Sequence, residues 1–196
     1  MASATMDAPG ASPVRLEIPR PDRQSRLLIF VKFFLAIPHL LILYALSAVL
    51  SIVTFVAWFA ILFTKKYPDG LFKFAVGAQR WTNNVSAYLF LLRDEYPPFS
   101  MDAGRYPVAF DISYPDELSR WMIFIKWLLV LPNAIVLVVL LLCAYVTTTI
   151  AWFAILFTGT YPESLFKFAV GVMRWQARVN AYTNLMTDQY PPFSLD

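Results

Sequence analysis

Two stretches decide what this chain can become: apart from one tyrosine each, residues 27–64 carry only Lys32 and His39 as ionisable side chains, and residues 121–158 carry only Lys126 and Cys143. Each is long enough to cross a hydrocarbon layer of about 30 Å, for which about 20 apolar residues suffice. Hydrophobic residues make up 59% of the chain and charged residues 15%, against roughly 45–50% and about 25% in ordinary soluble domains. The apolar excess is concentrated in these runs, so the sequence predicts an integral membrane protein. Residues 1–25 hold arginines and prolines but no apolar core before a small-residue cleavage site, and the first run therefore reads as a lasting anchor.

The two runs belong to a duplicated unit. At a constant offset of 94 positions, Lys32 meets Lys126, Pro38 meets Pro132, and residues 57–64 recur unchanged as residues 151–158. Residues 71–77 return as 165–171, Arg80-Trp81 as Arg174-Trp175, and Tyr96-Pro97-Pro98-Phe99-Ser100 as residues 190–194. Half of the aligned positions are identical without a gap, which only duplication explains economically. The expected division is a disordered tail over residues 1–12, unit one over 13–100 and unit two over 107–196.

Each unit opens with alternating residues, Val14, Leu16 and Ile18 in one and Val108, Phe110 and Ile112 in the other. This period-two pattern predicts a short strand, and two equivalent strands can satisfy each other's edges across the repeats. Next comes the apolar run, divided by Pro38 or Pro132, which removes an N–H from the helical ladder. We expect a leading helix to residue 37, then a spanning helix from Pro38 to Phe63 whose 26 residues reach about 39 Å. A hairpin with two shorter crossings is the alternative, although residues 44–51 supply no Gly or Pro for its turn. Basic residues number five before the first run's body, eight between the runs' bodies and three after, which ties the two sides and leaves orientation open.

A second helix follows each Tyr-Pro turn, over residues 71–92 and 165–186. Lys73, Gly77, Arg80 and Asn84 fall at spacings of four, three and four, as do Lys167, Gly171, Arg174 and Arg178. That spacing predicts one polar stripe on an otherwise apolar helix, and a helix lying in the membrane interface with its basic stripe toward headgroups. The fold expectation is thus a mainly α membrane protein of two tandem repeats, each a short strand, a Pro-kinked transmembrane helix and an amphipathic interfacial helix.

The candidate site residues are basic and aromatic. Lys32 and Lys126 either snorkel to the interface or form a basic site for a lipid headgroup or anion. Arg80-Trp81 and Arg174-Trp175 couple a cation to an interfacial aromatic; a salt bridge to Asp94 or across the repeats competes with anionic-lipid binding. Together with Lys73, Lys167 and Arg178 these form the expected lipid-binding set. His39 has Asn133 as its counterpart and no second ligand at metal spacing on its helix, so it reads as a hydrogen-bonding group beside the Pro break. Lone Cys143 reads as a small apolar residue. No catalytic, metal or cofactor motif is present, and a net charge of +3 without a basic polar face speaks against nucleic acid.

The string Trp58 to Thr64, then Tyr67-Pro68, Phe74-Ala75-Val76-Gly77, Arg80-Trp81, Ala87-Tyr88 and Asp94-x-Tyr96-Pro97-Pro98-Phe99 resembles the bacterial membrane family catalogued as domain of unknown function family 4389. Unit two is the more similar, because Lys65-Lys66 stand where it keeps Gly159-Thr160. The resemblance implies a bacterial cell membrane and no reaction. The function expected is a non-enzymatic module that self-associates or scaffolds a membrane protein partner and contacts anionic lipid. Small residues at Ala45, Ser47, Ala48 and Ser51 suit close helix contact. The alternative is a small-solute or ion transporter or channel, whose path would need polar side chains such as His39, Thr54 and Thr147 to Thr149.

Overall fold

A computed structural model describes residues 12–196. The expected tail lies, apart from Ser12, outside the described residues. Two units appear in sequence: β1 (Val14–Glu17), α1 (Leu28–Thr64) and α2 (Asp69–Leu89), then β2 (Ala109–Ile112), α3 (Met122–Leu129), α4 (Leu131–Thr158) and α5 (Glu163–Thr183). The chain is mainly helical, with the two strands as its one sheet among the described residues.

β1 and β2 pair antiparallel, with Val14 opposite Ile112 and Leu16 opposite Phe110. The alternation seen in sequence is the alternation of burial: Val14, Leu16, Phe110 and Ile112 face inward, while Glu17 and Asp111 are exposed. The pairing crosses the repeats, so each unit completes the other's strand.

The apolar runs depart from the expected two-part division in different ways. In unit one, α1 is one helix of 37 residues with Pro38 inside it; no separate leading helix exists. In unit two the helix is interrupted at Val130, and Pro132 sits in the first turn of α4. Proline deletes a single N–H, and bonds on either side carry the chain through: Val130 N donates to Lys126 O and Ala134 N to Val130 O. No turn interrupts α1 over residues 44–51 or α4 over residues 138–145. By length and composition, 28–64 and 122–158 are both able to cross a membrane.

Both runs end alike. Lys65 (φ 60°) and Gly159 (φ 75°) adopt the left-handed conformation and donate their N–H groups back to Ile61 and Ile155. Replacing glycine by lysine therefore leaves the turn geometry unchanged, at the steric cost of a Cβ in that region.

The second helices begin two residues earlier than the periodicity suggests, with Asp69 and Glu163 in their first turns, where an acidic group meets the positive end of the helix dipole. They finish three residues sooner, because Leu91 and Leu185 turn left-handed (φ 59° and 61°) and Leu92 and Met186 donate to Ala87 and Ala181 in a Schellman-type close.

Both helices contribute to the core of the molecule. Ala75, Val85, Ala87 and Tyr88 of α2, and Ala169, Val172, Ala181 and Tyr182 of α5, belong to the core. The polar stripe is largely covered as well. Gly77 lies against Met101 and Gly171 against Leu195, so closely that an added Cβ would come within 2.9 Å and 2.7 Å of them. Asn84 and Arg178 are buried, and only Lys73 and Lys167 of the stripe are exposed. The stripe is one face, covered at its glycines by Met101 and Leu195 and at its arginines by the strand of the opposite unit.

The outer surfaces of α1 and α4 are apolar. Phe33, Phe34, Ile52 and Phe55 of α1, and Ile135, Val139, Leu142 and Phe153 of α4, are exposed, as is Cys143.

Candidate functional site

The duplicated positions that carry charge form three internal constellations, each present twice. In the first, Lys32 is only 2% exposed and its Nζ lies 2.7 Å from Asp94 Oδ1. The same ammonium donates to Arg93 O at 2.7 Å and stands 5.0 Å from the centre of the Tyr88 ring. The other Asp94 oxygen accepts from Ser25 N at 2.5 Å. Unit two repeats this arrangement, with Lys126, 3% exposed, 2.7 Å from Asp188 and 2.8 Å from Thr187 O. Tyr182 supplies the ring at 4.9 Å, and Ser119 N donates to Asp188. A cation in an apolar run needs a partner or a route to water. Here it finds a carboxylate, a carbonyl and a ring, and neither lysine snorkels.

The second constellation ties the units together. Arg80 Nε donates to Phe110 O in β2 at 3.0 Å, and Arg174 Nε donates to Leu16 O in β1 at 3.0 Å. Arg80 also donates to Met101 O and pairs with Asp111 at 3.4 Å. Of the two salt bridges that the sequence suggested for Arg80, the one across the repeats forms, and Asp94 belongs to Lys32 instead.

In the third, Trp81 Nε1 donates to His39 Nδ1 at 3.1 Å, and Trp175 Nε1 donates to Asn133 Oδ1 at 2.8 Å. The imidazole stacks on Phe99 with ring centres 3.9 Å apart, while Asn133 Nδ2 donates to Pro191 O. His39 and Asn133 are thus equivalent acceptors for an indole N–H, in keeping with the reading of His39 as a hydrogen-bonding group. Among the described residues no three His, Cys, Asp or Glu side chains come together as a metal site.

What the basic set offers outward is narrower than the sequence implied. Lys32, Lys126, Trp81 and Trp175 are committed inside. Arg178, in the place of Asn84, is buried and donates to Ser194 O and, at 2.5 Å, to Asp196 O; burial, then the charge of Arg174, pulls it below its ordinary pKa. The members of this set that reach the surface lie at two clefts of equivalent position. One of about 790 Å³ holds Arg20, Lys167, Arg174, Glu163 and Asp196, and one of about 380 Å³ holds Lys73, Arg80, Asp69 and Asp111. Lys167 lies 2.6 Å from Glu163, and this bond holds the Glu163 carboxyl below the usual range. Where unit two's cleft has Arg20, unit one's has Tyr114.

Tyr67 and Tyr161, which follow the long helices, are buried. Burial pushes Tyr67 up to about 12, against a smaller opposing effect of the Thr54 hydroxyl, and Tyr161 shifts the same way beside Thr148.

Lysine with aspartate, arginine on the opposite strand, and tryptophan on an acceptor recur at one offset in a fixed order along each unit. A family model described as a domain of unknown function (DUF4389) matches residues 26–101 and again residues 120–194. The chain belongs to that family. It carries two tandem DUF4389 units, and the three constellations fall inside both, apart from Ser25, Ser119 and the strand residues that Arg80 and Arg174 reach. No curated protein and no solved structure gives a match to the chain.

Sequence reasoning missed the roles of Asp94 and Asp188. Their signal was present, since each lies 62 positions after its lysine in both units, but a sequence separation of that size names no contact. It also missed Ser25 and Ser119, whose backbone N–H groups complete the carboxylate's bonding.

Proposed function

We propose that this chain is a non-enzymatic integral membrane module of the bacterial cell membrane, which self-associates or scaffolds a membrane protein partner and contacts anionic lipid. The observation that carries the reading is the outward apolar surface of α1 and α4. Phe33, Phe34, Ile52 and Ile135 are each more than 60% exposed, and apolar surface left in water is unfavourable by about 25 cal/mol per Å². A hydrocarbon surround removes that penalty.

Contact with anionic headgroups falls to the surface cations of the two clefts: Lys73 in one unit, and Arg20, Lys167 and Arg174 at the wider cleft of the other. Charges of this kind near a membrane surface contribute about 1 kcal/mol each. Self-association uses the exposed small residues Ala45 and Ala48 on α1, where backbones can approach closely.

The reading is tested by expressing the full chain in bacteria and washing membranes with alkaline carbonate. An integral module stays in the pellet, and release into the supernatant overturns the proposal. In purified protein, added anionic lipid should raise the melting temperature more than zwitterionic lipid does. The triple change Lys73→Gln, Lys167→Gln, Arg20→Gln should remove most of that difference; an unchanged difference rejects the headgroup role of these side chains.

A further inference from the structure

At one seam between the units, residues 51–59 of α1, α3 and the end of α5 enclose a groove of about 690 Å³, within the roughly 300–1,000 Å³ of small-molecule sites. Its walls are Phe55, Trp58, Phe59, Ile123, Trp127 and Val130. Besides the indole N–H groups of Trp58 and Trp127, its polar side chains are Ser51, Thr54, Lys126 and Thr183, each already bonded within the protein. Thr54 Oγ1 donates to Asn184 Oδ1 at 3.1 Å, Asn184 Nδ2 to Asn180 O, and Ser51 Oγ to Ser47 O. Thr183 Oγ1 donates to Val179 O, and Lys126 is held by Thr187 O and Asp188. Such a lining leaves a polar ligand little to bind, and the walls offer dispersion and apolar contact.

Duplication supplies the internal control. The equivalent seam joins residues 145–153 of α4 to the start of α1, and its aromatic wall is preserved: Trp152 meets Phe30 at 4.9 Å as Trp58 meets Phe124 at 5.1 Å. There, however, Tyr145 occupies the position of Ser51 and Phe90 that of Asn184, and the two rings lie 5.4 Å apart. At this second seam a pair of touching rings stands where the first seam has Ser51 and Asn184, and the first is left as an open groove.

We infer that the open groove binds a hydrocarbon chain of a membrane lipid. The inference rests on the membrane reading above, because the groove continues the exposed apolar belt through Phe55, Phe59 and Trp127. A second copy of this chain is the poorer occupant. The α1 wall spans about 12 Å at 1.5 Å per residue, and a helix laid along so short a groove buries far less than the roughly 1,000 Å² of a stable interface.

The test is native mass spectrometry of the full chain purified from bacterial membranes in mild detergent, compared with Ser51→Tyr and with Ser51→Tyr/Asn184→Phe, which place the other seam's ring pair across the groove. The wild type should retain one lipid mass per chain, and both variants should lose it while staying in the carbonate-washed pellet. Equal retention in all three overturns the inference and leaves the membrane reading standing. A dimer that the substitutions dissociate, with no lipid retained, also overturns it, by naming a second copy as occupant. Release of the wild type by carbonate overturns the inference together with the membrane reading. If the double variant fails to fold, the single one carries the decision, since it replaces only an exposed serine.

Discussion

Unit one and unit two hold the same three constellations yet differ around them. Lys32 and Lys126, Asp94 and Asp188, Arg80 and Arg174, and Trp81 and Trp175 keep their identities and their distances to within a few tenths of an ångström. Around them, His39 faces Asn133, Lys65 faces Gly159, Asn84 faces Arg178, and Ser51 faces Tyr145. The difference separates two kinds of position. Those that pair the buried lysines or grip the opposite strand are the same in both units, because an unpartnered charge in an apolar setting is far costlier than a changed contact. Those that only need an acceptor, a left-handed residue or a volume admit several solutions.

The sharpest way to break the comparison is at the carboxylates. Asp94→Asn and Asp188→Asn each leave an ammonium buried without its counter-charge, and each should cost about 3–5 kcal/mol, read as a loss of unfolding free energy in detergent. Nearly equal losses support equivalent frameworks; a variant that unfolds like wild type shows that its unit does not depend on the pair.

A smaller effect is expected at the indole acceptor. His39→Ala strands the Trp81 N–H and should cost about 1–3 kcal/mol. His39→Asn installs unit two's own solution and should recover part of that loss. If Asn behaves no better than Ala in thermal unfolding, the stack of His39 on Phe99, rather than the hydrogen bond, is what holds Trp81.

The smallest effects belong to the left-handed turn. Lys65→Gly should stabilise, and Gly159→Ala should destabilise, each by about 1 kcal/mol, the cost of a Cβ in that conformation. The exposed pair of Lys65 with Glu117 at 3.4 Å is worth too little to reverse the sign. Two shifts of the same sign in melting temperature would show that the turns are not equivalent.

Much of this was legible in the residues. The repeat is visible because its identities keep one offset, the strands because burial alternates along them, and the long helices because few charges interrupt them. The alternation even pointed to pairing across the units. Pro38 and Pro132 were legible as prolines but not by their effect: one run continues as a single helix and the other is interrupted at Val130, since one missing N–H does not decide whether a helix stops. The stripe through Lys73, Gly77, Arg80 and Asn84 was legible as a face, while what that face meets was not.

Sequence by itself determined the duplicated unit, its family, the order of its elements and the two apolar runs, because these depend on local composition and periodicity. Only the tertiary structure decided that Lys32 and Lys126 turn inward to Asp94 and Asp188, that Arg80 and Arg174 each grip the other unit's strand, and that one seam is left as an open groove. Those outcomes turn on contacts between residues tens of positions apart, and a buried charge takes whichever partner the fold brings within reach.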